Sequence, residues 1–455
     1  MTTLIAVTSL GLLCLLLEIL NFRKAIVGSS ILGLMAILAF QFLEFGTTQN
    51  FYNNMIVINK FSTAFSSLFL VLTIFLIALG HHFYKNQQSK ISDFIAIKIF
   101  LLAGCIAMVS FGNLAMFFLG IEVLSISLYV LAASSRLDIK SNEAGMKYFL
   151  MGSFASGIIL FGICLVYGAT GSFDLQKIQE TALIVDAKSW FFVGGAMLAI
   201  GMLFKIAAVP FHFWAPDVYE GAPTLTTATM STLAKVTAMA AFFKLMSAMN
   251  LNLPESAETV IVVIAILSMT FGNIMALKQA NVKRMLAFSG ISHAGFMLMT
   301  LLSVTTAAGS LLYYVAAYSL AGIAAFSVIL YVGNHTKNED ISNFNGLGKT
   351  NPLLAIVLTS ALLSMAGIPI FAGFFAKLVL FGQTLKAGYL ILVIAAVINS
   401  IISVGYYFKI ILAMFAKEPN QTRTGKPILI YAVAVVAILL NIILGLFPDL
   451  VLNLI

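Results

Sequence analysis

The stretch FFVGGAMLAIGMLFKIAAVPF, residues 191–211, decides the fold because it is an apolar run of membrane-spanning length with a lysine inside it. Backbone polar groups in a bilayer must be hydrogen-bonded within their own segment, so such a run forms a helix of about 20 residues. Lys205 and Pro210 do not suit an ordinary lipid-facing helix. The stretch therefore predicts a membrane helix that is interrupted and carries a charge within the protein.

Apolar runs of the same length follow one another along the chain. The 455 residues are 61% hydrophobic and only 9% charged, whereas an ordinary soluble domain carries about 25% charged residues. We expect about fourteen spans, with starts near Leu4, Ala25, Ser62, Ile95, Leu114, Met146, Phe191, Thr226, Val260, Val282, Ser310, Leu353, Gly388 and Ile428. The longest polar connections, about 333–350 and 418–426, are too short to fold alone. The predicted fold class is an all-α integral membrane protein.

Lysine and arginine concentrate in every second connection between the spans. The basic residues of these connections are Arg23, Lys24, Lys85, Lys90, Arg136, Lys140, Lys278, Lys283, Arg284, Lys337, Lys349, Lys417, Arg423 and Lys426. Because basic residues collect in cytoplasmic loops, both termini are predicted to lie on the extracytoplasmic side of the cell inner (plasma) membrane. The net charge of +8 then reflects membrane topology and not a nucleic-acid partner.

Four ionisable residues fall well inside apolar spans, namely Glu122, Lys205, Lys235 and Lys377. A charge at the bilayer centre costs from about 2.5 to more than about 10 kcal/mol and is retained mainly where it has a function. A lysine near a span end can instead extend its ammonium group to the headgroups. We give that interpretation to Lys98, Lys244 and Lys409. The four mid-span residues form the candidate functional site.

Two spans carry helix-breaking residues near a lysine. Pro210 follows Lys205, and the sequence Ala366-Gly367-Ile368-Pro369 precedes Lys377. A single proline can simply kink a helix, but broken helices at membrane depth commonly mark ion pathways. Because five spans separate the two breaks, we predict an inverted repeat of two five-helix units. The predicted segments are an N-terminal three-helix segment (1–92), the first repeat (93–250), the second repeat (251–415), and a C-terminal loop with the last helix (416–455).

The chemistry that suits these residues is proton exchange. Removal from water favours the uncharged form of an amine or a carboxyl group, and a nearby opposite charge favours the charged form of both. A carboxylate such as Glu122 can therefore switch a buried lysine between holding and releasing a proton. His212 and His293 lie near span ends or breaks. There an imidazole, with an ordinary pKa of about 6.5, can relay protons through water or simply cap a helix end.

No redox-cofactor motif accompanies these residues. The three cysteines, Cys14, Cys105 and Cys164, lie in apolar runs without metal-ligand spacing. A glycine-rich strand-to-helix turn and a mid-span pair of histidines are also absent from the sequence. We therefore expect no cofactor and no metal on this chain, and no redox chemistry by the chain itself.

At these residues the sequence resembles a known family, the antiporter-like membrane subunits of respiratory complex I and of sodium/proton antiporter complexes. The matching stretches are FFLGIEVLSISLYVLAA around Glu122, EAGMKYFLMGSFASGIILFG after it, FKIAAVPFHFWAPDVYEGAPT around Lys205, STLAKV around Lys235, NVKRMLAFSGISHAGFM, and SMAGIPIFAGFFAK at Lys377. AGIP alone would be a weak signal. The ordered set spans nearly the whole chain and is highly specific.

The resemblance implies about fourteen helices, with discontinuous helices seven and twelve, two inverted repeats and a proton path along a central polar axis. It implies that Glu122 is the partner of Lys205 and that Lys235 is the central relay. Lys377 would belong to the second half-channel, and a lysine there does not fit the sister subunit that carries an acid. The absence of a long C-terminal extension argues against the subunit with a lateral helix.

The implied function is that of a proton-translocating membrane subunit of NADH:quinone oxidoreductase, driven by quinone reduction elsewhere. Glu143 and Lys147 fall where the family often carries a further charged pair. The expected partners are the lipid bilayer, other membrane subunits of complex I and a peripheral redox arm, with flavin, iron–sulfur clusters and quinone on partner subunits. The alternative is a subunit of a multi-part cation/proton antiporter. A third hypothesis is a scaffold that only completes the membrane arm.

Overall fold

The computed structural model describes residues 1–83, 91–184, 189–249, 255–336, 338–419, 425 and 427–455. Some of the basic residues behind the predicted orientation lie outside these ranges, namely Lys85, Lys90, Lys337, Arg423 and Lys426. The orientation therefore stays a prediction. Within the described ranges the regular structure is helical apart from an antiparallel hairpin of β1 (Gln49–Phe51) and β2 (Ile56–Ile58).

Fourteen helical units follow one another through the described ranges, and we number them α1 to α14. The units before the first break are α1 (Thr2–Ile19), α2 (Ile26–Leu43), α3 (Lys60–Phe83), α4 (Ile91–Ser110), α5 (Leu114–Ala132) and α6 (Ile139–Thr170). The next two are α7, divided into α7a (Ser189–Lys205) and α7b (Trp214–Gly221), and α8, which runs through Thr224–Thr229, a π-helical turn at Met230–Ala234 and Lys235–Ala248. The remaining units are α9 (Glu255–Leu277), α10 (Val282–Leu298), α11 (Ala308–Gly333), α12a (Pro352–Ala366) with α12b (Ala372–Lys386), α13 (Leu390–Ala416) and α14 (Ile428–Leu446). Short helical segments at Arg23–Ala25, Leu175–Ile184, Met299–Ser303, Ile341–Phe344, Leu347–Thr350 and Asp449–Leu452 lie in connections or at helix ends.

Eleven helices in the described part of the chain are continuous, long and apolar enough to cross a membrane. The other three units, α7, α8 and α12, are interrupted. Every predicted start lies within seven residues of a helix start, so the predicted class of an all-α membrane protein with about fourteen helices is confirmed. The largest difference is at α6, which begins at Ile139 and not near Met146. Its first turns are polar, and Asp138 caps them by accepting a hydrogen bond from the Lys140 backbone N–H.

The centre of the molecule is formed by α10 and α11. Every residue of α11 from Gly309 to Val332 is buried, and so is every residue of α10 except Arg284, whereas most residues of α1 and α2 are at least partly exposed. The neighbours of α11 are α3, α8, both halves of α12, and α14. A polar side chain on a helix without lipid contact faces other helices, where it can find partners. The two central helices are thus able to carry the polar residues of a site.

The two halves of the chain share a backbone pairing at equivalent places. Asn113, before α5, pairs with Asp174 after α6, and Asn281, before α10, pairs with Asp340 after α11. In both pairs, the residue that follows the asparagine donates its backbone N–H to the carbonyl oxygen of the residue that precedes the aspartate. The residue that follows the aspartate donates its N–H to the carbonyl oxygen of the residue that precedes the asparagine. Since the chain passes through five spans, α5 to α9, between the two asparagines, the pairs lie at opposite ends of the bundle, as inverted repeats require. The repeat limits 93–250 and 251–415 correspond to α4–α8 and α9–α13 but remain a prediction.

The first halves of α7 and α12 end in the same type of cap. Ala208 and Ile368 each donate a backbone N–H to the carbonyl oxygen five residues earlier, at 2.9 and 3.0 Å. This is the long bond of a Schellman motif. The residues before them, Ala207 and Gly367, adopt left-handed φ angles of 59° and 87°. Both predicted interruptions are therefore chain breaks with capped ends and not simple proline kinks.

Candidate functional site

Lys205 ends α7a and lies in a polar pocket made with α5 and α6. Its Nζ donates to Ser125 Oγ at 2.7 Å and to Ser156 Oγ at 3.4 Å. Glu122, about one turn before Ser125 on α5, interacts electrostatically with the Lys205 ammonium group. Glu122 Oε1 is buried and has no hydrogen-bond partner among the described residues. The fold thus brings the predicted acid within electrostatic range of the predicted amine, and two serine hydroxyls contact that amine.

Two hydrogen bonds between side chains and the backbone hold the chain after Lys205. Trp214 Nε1 donates to the Phe204 carbonyl oxygen at 3.1 Å, which ties the start of α7b to the end of α7a. Val209 donates its backbone N–H to Ser268 Oγ on α9 at 2.9 Å. A helix end leaves carbonyl and N–H groups without partners. These two bonds satisfy such groups and connect the α7 break to the second repeat.

Lys235 follows the π-helical turn of α8 and is enclosed by protein. Its side chain is 2% exposed, and its Nζ lies 5.8 Å from the centroid of the Tyr219 ring. Within the part of the chain that the structure describes, this Nζ has no hydrogen-bond acceptor. Gly290 on α10 makes room for the amine, because a Cβ there would lie 2.6 Å from Nζ. An enclosed amine without a fixed acceptor suits a group that takes up and releases a proton.

His293 on α10 lies at the centre of a buried hydroxyl cluster. Its Nδ1 is 2.8 Å from Tyr314 Oη and its Nε2 is 3.3 Å from Tyr407 Oη. Tyr407 Oη is in turn 2.6 Å from Ser289 Oγ. Each hydroxyl can donate or accept a hydrogen bond. The imidazole can therefore exchange tautomers without losing its partners.

Lys377 lies in α12b, and its amine reaches back to the end of α12a. Its Nζ donates to the Ala366 carbonyl oxygen and to Ser400 Oγ, each at 2.8 Å. The same Nζ lies 5.0 Å from the centroid of the Phe296 ring. Because α12a ends at Ala366, its last carbonyl groups have no helical partners. The break therefore supplies an acceptor for the lysine that follows it.

A small cavity joins Lys377 to the His293 cluster. It has a volume of about 10 Å³, and its lining includes His293, Tyr314, Tyr318, Ser364 and Lys377. This volume corresponds to roughly one water molecule. His293 also interacts electrostatically with both Lys377 and Lys235. The second repeat thus gathers one amine, one imidazole and several hydroxyls around one small space, with the Lys235 amine of α8 in electrostatic range of the imidazole.

His212 lies in the α7 break and is buried. Its ring packs against Phe213 and Phe271, with centroid distances of 4.3 and 4.8 Å. These contacts fit a packed side chain at a helix interruption. A relay role for His212 stays a prediction.

Glu143 and Lys147 form the further charged pair at 2.7 Å, but on a partly exposed surface. Lys147 also pairs with Asp217 at 3.0 Å, and Arg284 pairs with Asp217 at 2.7 Å and with Glu220 at 3.1 Å. We call these five residues the ionic network. They line a cavity of about 170 Å³ and connect α6 and α7b with α10. The pair is therefore part of a link between the two repeats.

Sequence reasoning missed the tyrosines and the glycine of the site. Tyr314 and Tyr407 supply hydroxyl groups to His293, and the Tyr318 ring packs against it. Gly290 supplies space for Lys235. A tyrosine or glycine in an apolar span has no signal that separates it from ordinary packing. Lys98, expected to reach the headgroups, is only 2% exposed. That prediction is wrong because α4 packs against α1, α3 and α5.

Metal ligands are not gathered in the described ranges, where no group of three or more His, Cys, Asp and Glu side chains could hold an ion. Cys14 and Cys105 are buried on α1 and α4, and Cys164 is exposed on α6. The residues that carry charge in the site are amines, a carboxylate and an imidazole. Their common chemistry is proton transfer.

A many-span helix bundle with amines enclosed beside broken helices has the architecture of ion-translocating membrane proteins. The family model described as NADH:quinone oxidoreductase/Mrp antiporter, TM, matches residues 111–403. The chain belongs to this family of membrane subunits. The resemblance drawn from the sequence motifs is confirmed.

Two relatives that match over their full length are named NADH-quinone oxidoreductase subunit N. The chain is 71% identical over 461 residues to NADH-quinone oxidoreductase subunit N of Flavobacterium johnsoniae, with 100% of both chains covered. It is 42% identical over 456 residues to the subunit N of Cytophaga hutchinsonii, covering 100% of this chain and 99% of the relative.

Solved structures show the same fold. A chain of respiratory complex I from Thermus thermophilus with bound aureothin is similar with a TM-score of 0.86 and 30% identity, covering 99% of this chain and 98% of that one. A chain of the Mrp complex from Dietzia sp. is similar with a TM-score of 0.84 and 22% identity, covering 99% and 94%. The second similarity is one of fold alone.

Proposed function

We propose that the chain acts as a proton-translocating, subunit N-type membrane component of an NADH:quinone oxidoreductase. The full-length identity of 71% to a protein named subunit N supports the assembly. The burial of Lys235 and Lys377 and the partial burial of Lys205, each beside a helix interruption, support proton transfer by this chain. The observation that carries the proposal is the Lys235 amine, which is 2% exposed and has no acceptor among the described residues.

The first part of the proton path is the pocket of Glu122 and Lys205. Ser125 and Ser156 hold the Lys205 ammonium group, and the Glu122 carboxylate stabilises its charge. When the carboxylate is near, Lys205 keeps its proton. When the carboxylate moves away or is neutralised, Lys205 releases it. Glu122 thus acts as the electrostatic switch of the first repeat.

The second part of the path runs through Lys235, the His293 cluster and Lys377. Lys235 is the central relay because its amine has neither a charged partner nor a fixed hydrogen-bond acceptor among the described residues. His293 lies within electrostatic range of both lysines. A charge on either amine disfavours a charge on the imidazole. The imidazole therefore responds to the protonation of both lysines, which couples the two ends of this part of the path.

The energy source is expected outside this chain. Partner subunits in a peripheral arm would carry flavin, iron–sulfur clusters and quinone, and the chain would contact other membrane subunits of the complex. A helix break gives the backbone two segments that can move separately, so α7 and α12 are the elements through which a neighbour could reset the lysines. In the cell inner membrane the termini would face the extracytoplasmic side.

The proposal is tested by replacing the central amine. In membranes or vesicles that hold the assembled complex, Lys235→Met and Lys205→Met should lower both quinone reduction and proton pumping by about tenfold or more. Lys409→Met is the matched control, because Lys409 Nζ is exposed and donates only to the Gln279 carbonyl oxygen at 2.9 Å among its described hydrogen bonds. Wild-type quinone reduction and pumping in an assembled Lys235→Met complex would show that the assigned roles are wrong.

A cation/proton antiporter subunit shares this fold, so the assembly needs its own test. Purification through a tag on this chain should recover flavin- and iron–sulfur-containing partners with NADH:quinone reductase activity. Recovery of an assembly without those groups would favour the antiporter.

A further inference from the structure

Tyr318 lies on the buried helix α11 and contacts the surroundings of both lysines in the second part of the proton path. Its hydroxyl is 3.2 Å from Ser231 Oγ, in the π-helical turn that precedes Lys235. Its ring lies 4.6 Å from the His293 ring, centroid to centroid. It also lines the small cavity that Lys377 lines. Among the side chains described here, Tyr318 thus contacts the Lys235 turn, the imidazole and the cavity.

Gly290 places the Lys235 amine next to this tyrosine. A Cβ at Gly290 would be 2.6 Å from Lys235 Nζ and 3.3 Å from Tyr318 Oη. The amine and the hydroxyl therefore share the space that a side chain at this position would fill. Any residue larger than glycine would have to displace the amine.

The inverted repeat shows what the equivalent position carries in the first half. Counting nine residues on from the paired asparagines, Asn113 and Asn281, leads to Glu122 in α5 and to Gly290 in α10. The first repeat therefore has an acid where the second has no side chain. In the second repeat, the Lys235 amine and the Tyr318 hydroxyl lie next to that position. The tyrosine hydroxyl, which is neutral and can donate or accept a hydrogen bond, thus takes the place of the fixed negative charge of the glutamate.

We propose that Tyr318 is a further proton-transfer residue, which carries protons between Lys235 and the cavity at Lys377, and that Gly290 is the positioning residue that seats the Lys235 amine against it. The inference rests on the proposed function. In the transfer the Lys235 ammonium group moves into hydrogen-bond contact with Tyr318 and gives a proton to the phenolic oxygen, and the phenol releases its own proton across the cavity to the neutral amine of Lys377. Lys235 becomes neutral, Lys377 becomes an ammonium group, and Tyr318 is a neutral phenol before and after.

Tyr318→Phe tests the proposal, because it keeps the ring and removes only the hydroxyl. Tyr313→Phe is the matched control on the same helix, where the hydroxyl donates to the Leu444 carbonyl oxygen at 2.8 Å and lies outside the path. We expect Tyr318→Phe to lower proton pumping by about tenfold or more in assembled complex. Tyr313→Phe should pump as the wild type does.

Gly290→Ala tests whether the space at Gly290 positions the Lys235 amine. Its control is Gly157→Ala on α6, where an added Cβ meets nothing within 4 Å. Gly290→Ala should lower pumping as Tyr318→Phe does, and Gly157→Ala should leave it unchanged. The level of assembled complex in the membrane is measured for each variant, so that pumping is compared per complex.

Lys235→Met is measured beside these variants and separates the two proposals. If Lys235→Met pumps normally, the proposed function fails. If Lys235→Met is defective while Tyr318→Phe or Gly290→Ala pumps like the wild type, the inference is overturned and the function stands. A Tyr313→Phe defect equal to that of Tyr318→Phe would also overturn the inference, because loss of any buried hydroxyl on α11 would then suffice.

Discussion

Lys205 and Lys377 hold their ammonium groups in different ways, although both lie beside a broken helix. Lys377 uses a carbonyl oxygen that its own break leaves free, at Ala366, together with the Ser400 hydroxyl. Lys205 instead depends on serine hydroxyls from two other helices, and the Ser125 bond of 2.7 Å is clearly the shorter. A carbonyl oxygen cannot be removed by a point mutation, but a hydroxyl can. Ser125 is therefore the residue through which the first pocket can be weakened without touching a charge.

Ser125→Ala should lower coupled proton pumping by about tenfold, because a hydrogen bond to a charged group contributes roughly 1.5–3 kcal/mol. Ser127→Ala is the control on the same helix, since Ser127 Oγ donates to the Val123 carbonyl of its own helix. Pumping and quinone reduction are measured in the same vesicles. Equal activity of the two variants would contradict the assigned role of the Ser125 hydroxyl.

At the residue scale, the ionisable residues of the site could be predicted from the sequence, but the residues that surround them could not. Glu122, Lys205, Lys235 and Lys377 stand out because an ionisable group in an apolar span is costly. Ser125 and Tyr318 carry no such cost signal, since both types occur in membrane helices for packing alone. Gly290 matters only because Lys235, from another helix, points at it. A contact between residues this distant in sequence is a property of the fold.

The interrupted helices hold the lysines in place, and their geometry depends on close backbone approach. Gly373, in the first turn of α12b, donates its N–H to Ser364 Oγ at 3.3 Å. A Cβ at this glycine would overlap the Ser364 carbonyl oxygen in α12a. The two half-helices can therefore lie this close only with glycine at position 373.

Gly373→Ala should separate α12a from α12b and destabilise the chain by about 1–3 kcal/mol or more. Gly382→Ala, on the same half-helix, meets nothing within 4 Å and should be neutral, since alanine suits a helix better than glycine. The amount of assembled complex and the temperature at which its quinone-reductase activity is lost report the effect. A Gly373→Ala complex as abundant and heat-stable as Gly382→Ala would exclude this close approach.

At the scale of elements, breaks marked by proline and glycine were predictable, whereas the one in α8 was not. The sequences around Pro210 and Gly367-Ile368-Pro369 contain residues that end helices. The π-helical turn Met230–Ala234 contains neither proline nor glycine. It lies where α8 packs against α11 and α3, so tertiary contacts and not local propensity select it. Its effect is to place Lys235 at an irregular point of the helix.

The two repeats are joined at one end of the bundle by charges of two kinds. The ionic network of Glu143, Lys147, Asp217, Glu220 and Arg284 is partly exposed. Close by, Lys283 on α10 is enclosed, donates to the Ala222 carbonyl oxygen at 2.9 Å and lies 3.6 Å from Glu339. Glu339 also accepts a hydrogen bond from Thr224 at the start of α8, at 2.7 Å. Both sets connect the first repeat to the second, but only one of them is shielded from water.

Burial predicts which of the two sets stabilises the molecule. Asp217→Ala removes a partner of both Lys147 and Arg284, yet exposed ion pairs contribute only about 0–1 kcal/mol and are screened by salt. Glu339→Ala leaves the Lys283 charge enclosed with one carbonyl acceptor, and breaking such a buried pair costs about 3–5 kcal/mol. The inactivation temperature of the complex should therefore fall strongly for Glu339→Ala and slightly for Asp217→Ala.

Salt concentration distinguishes the exposed ionic network from the enclosed Lys283–Glu339 pair further. At high potassium chloride the small effect of Asp217→Ala should disappear, since the wild-type network is then screened as well, while the effect of Glu339→Ala should remain. Glu418→Ala is a third reference, because it removes only the exposed pair with Lys349 at 2.5 Å, in which neither residue belongs to the first repeat. If Glu339→Ala were no less stable than Glu418→Ala, the enclosed pair would not be what joins the repeats. The link would then lie in the apolar packing of α11 against α8 and α12.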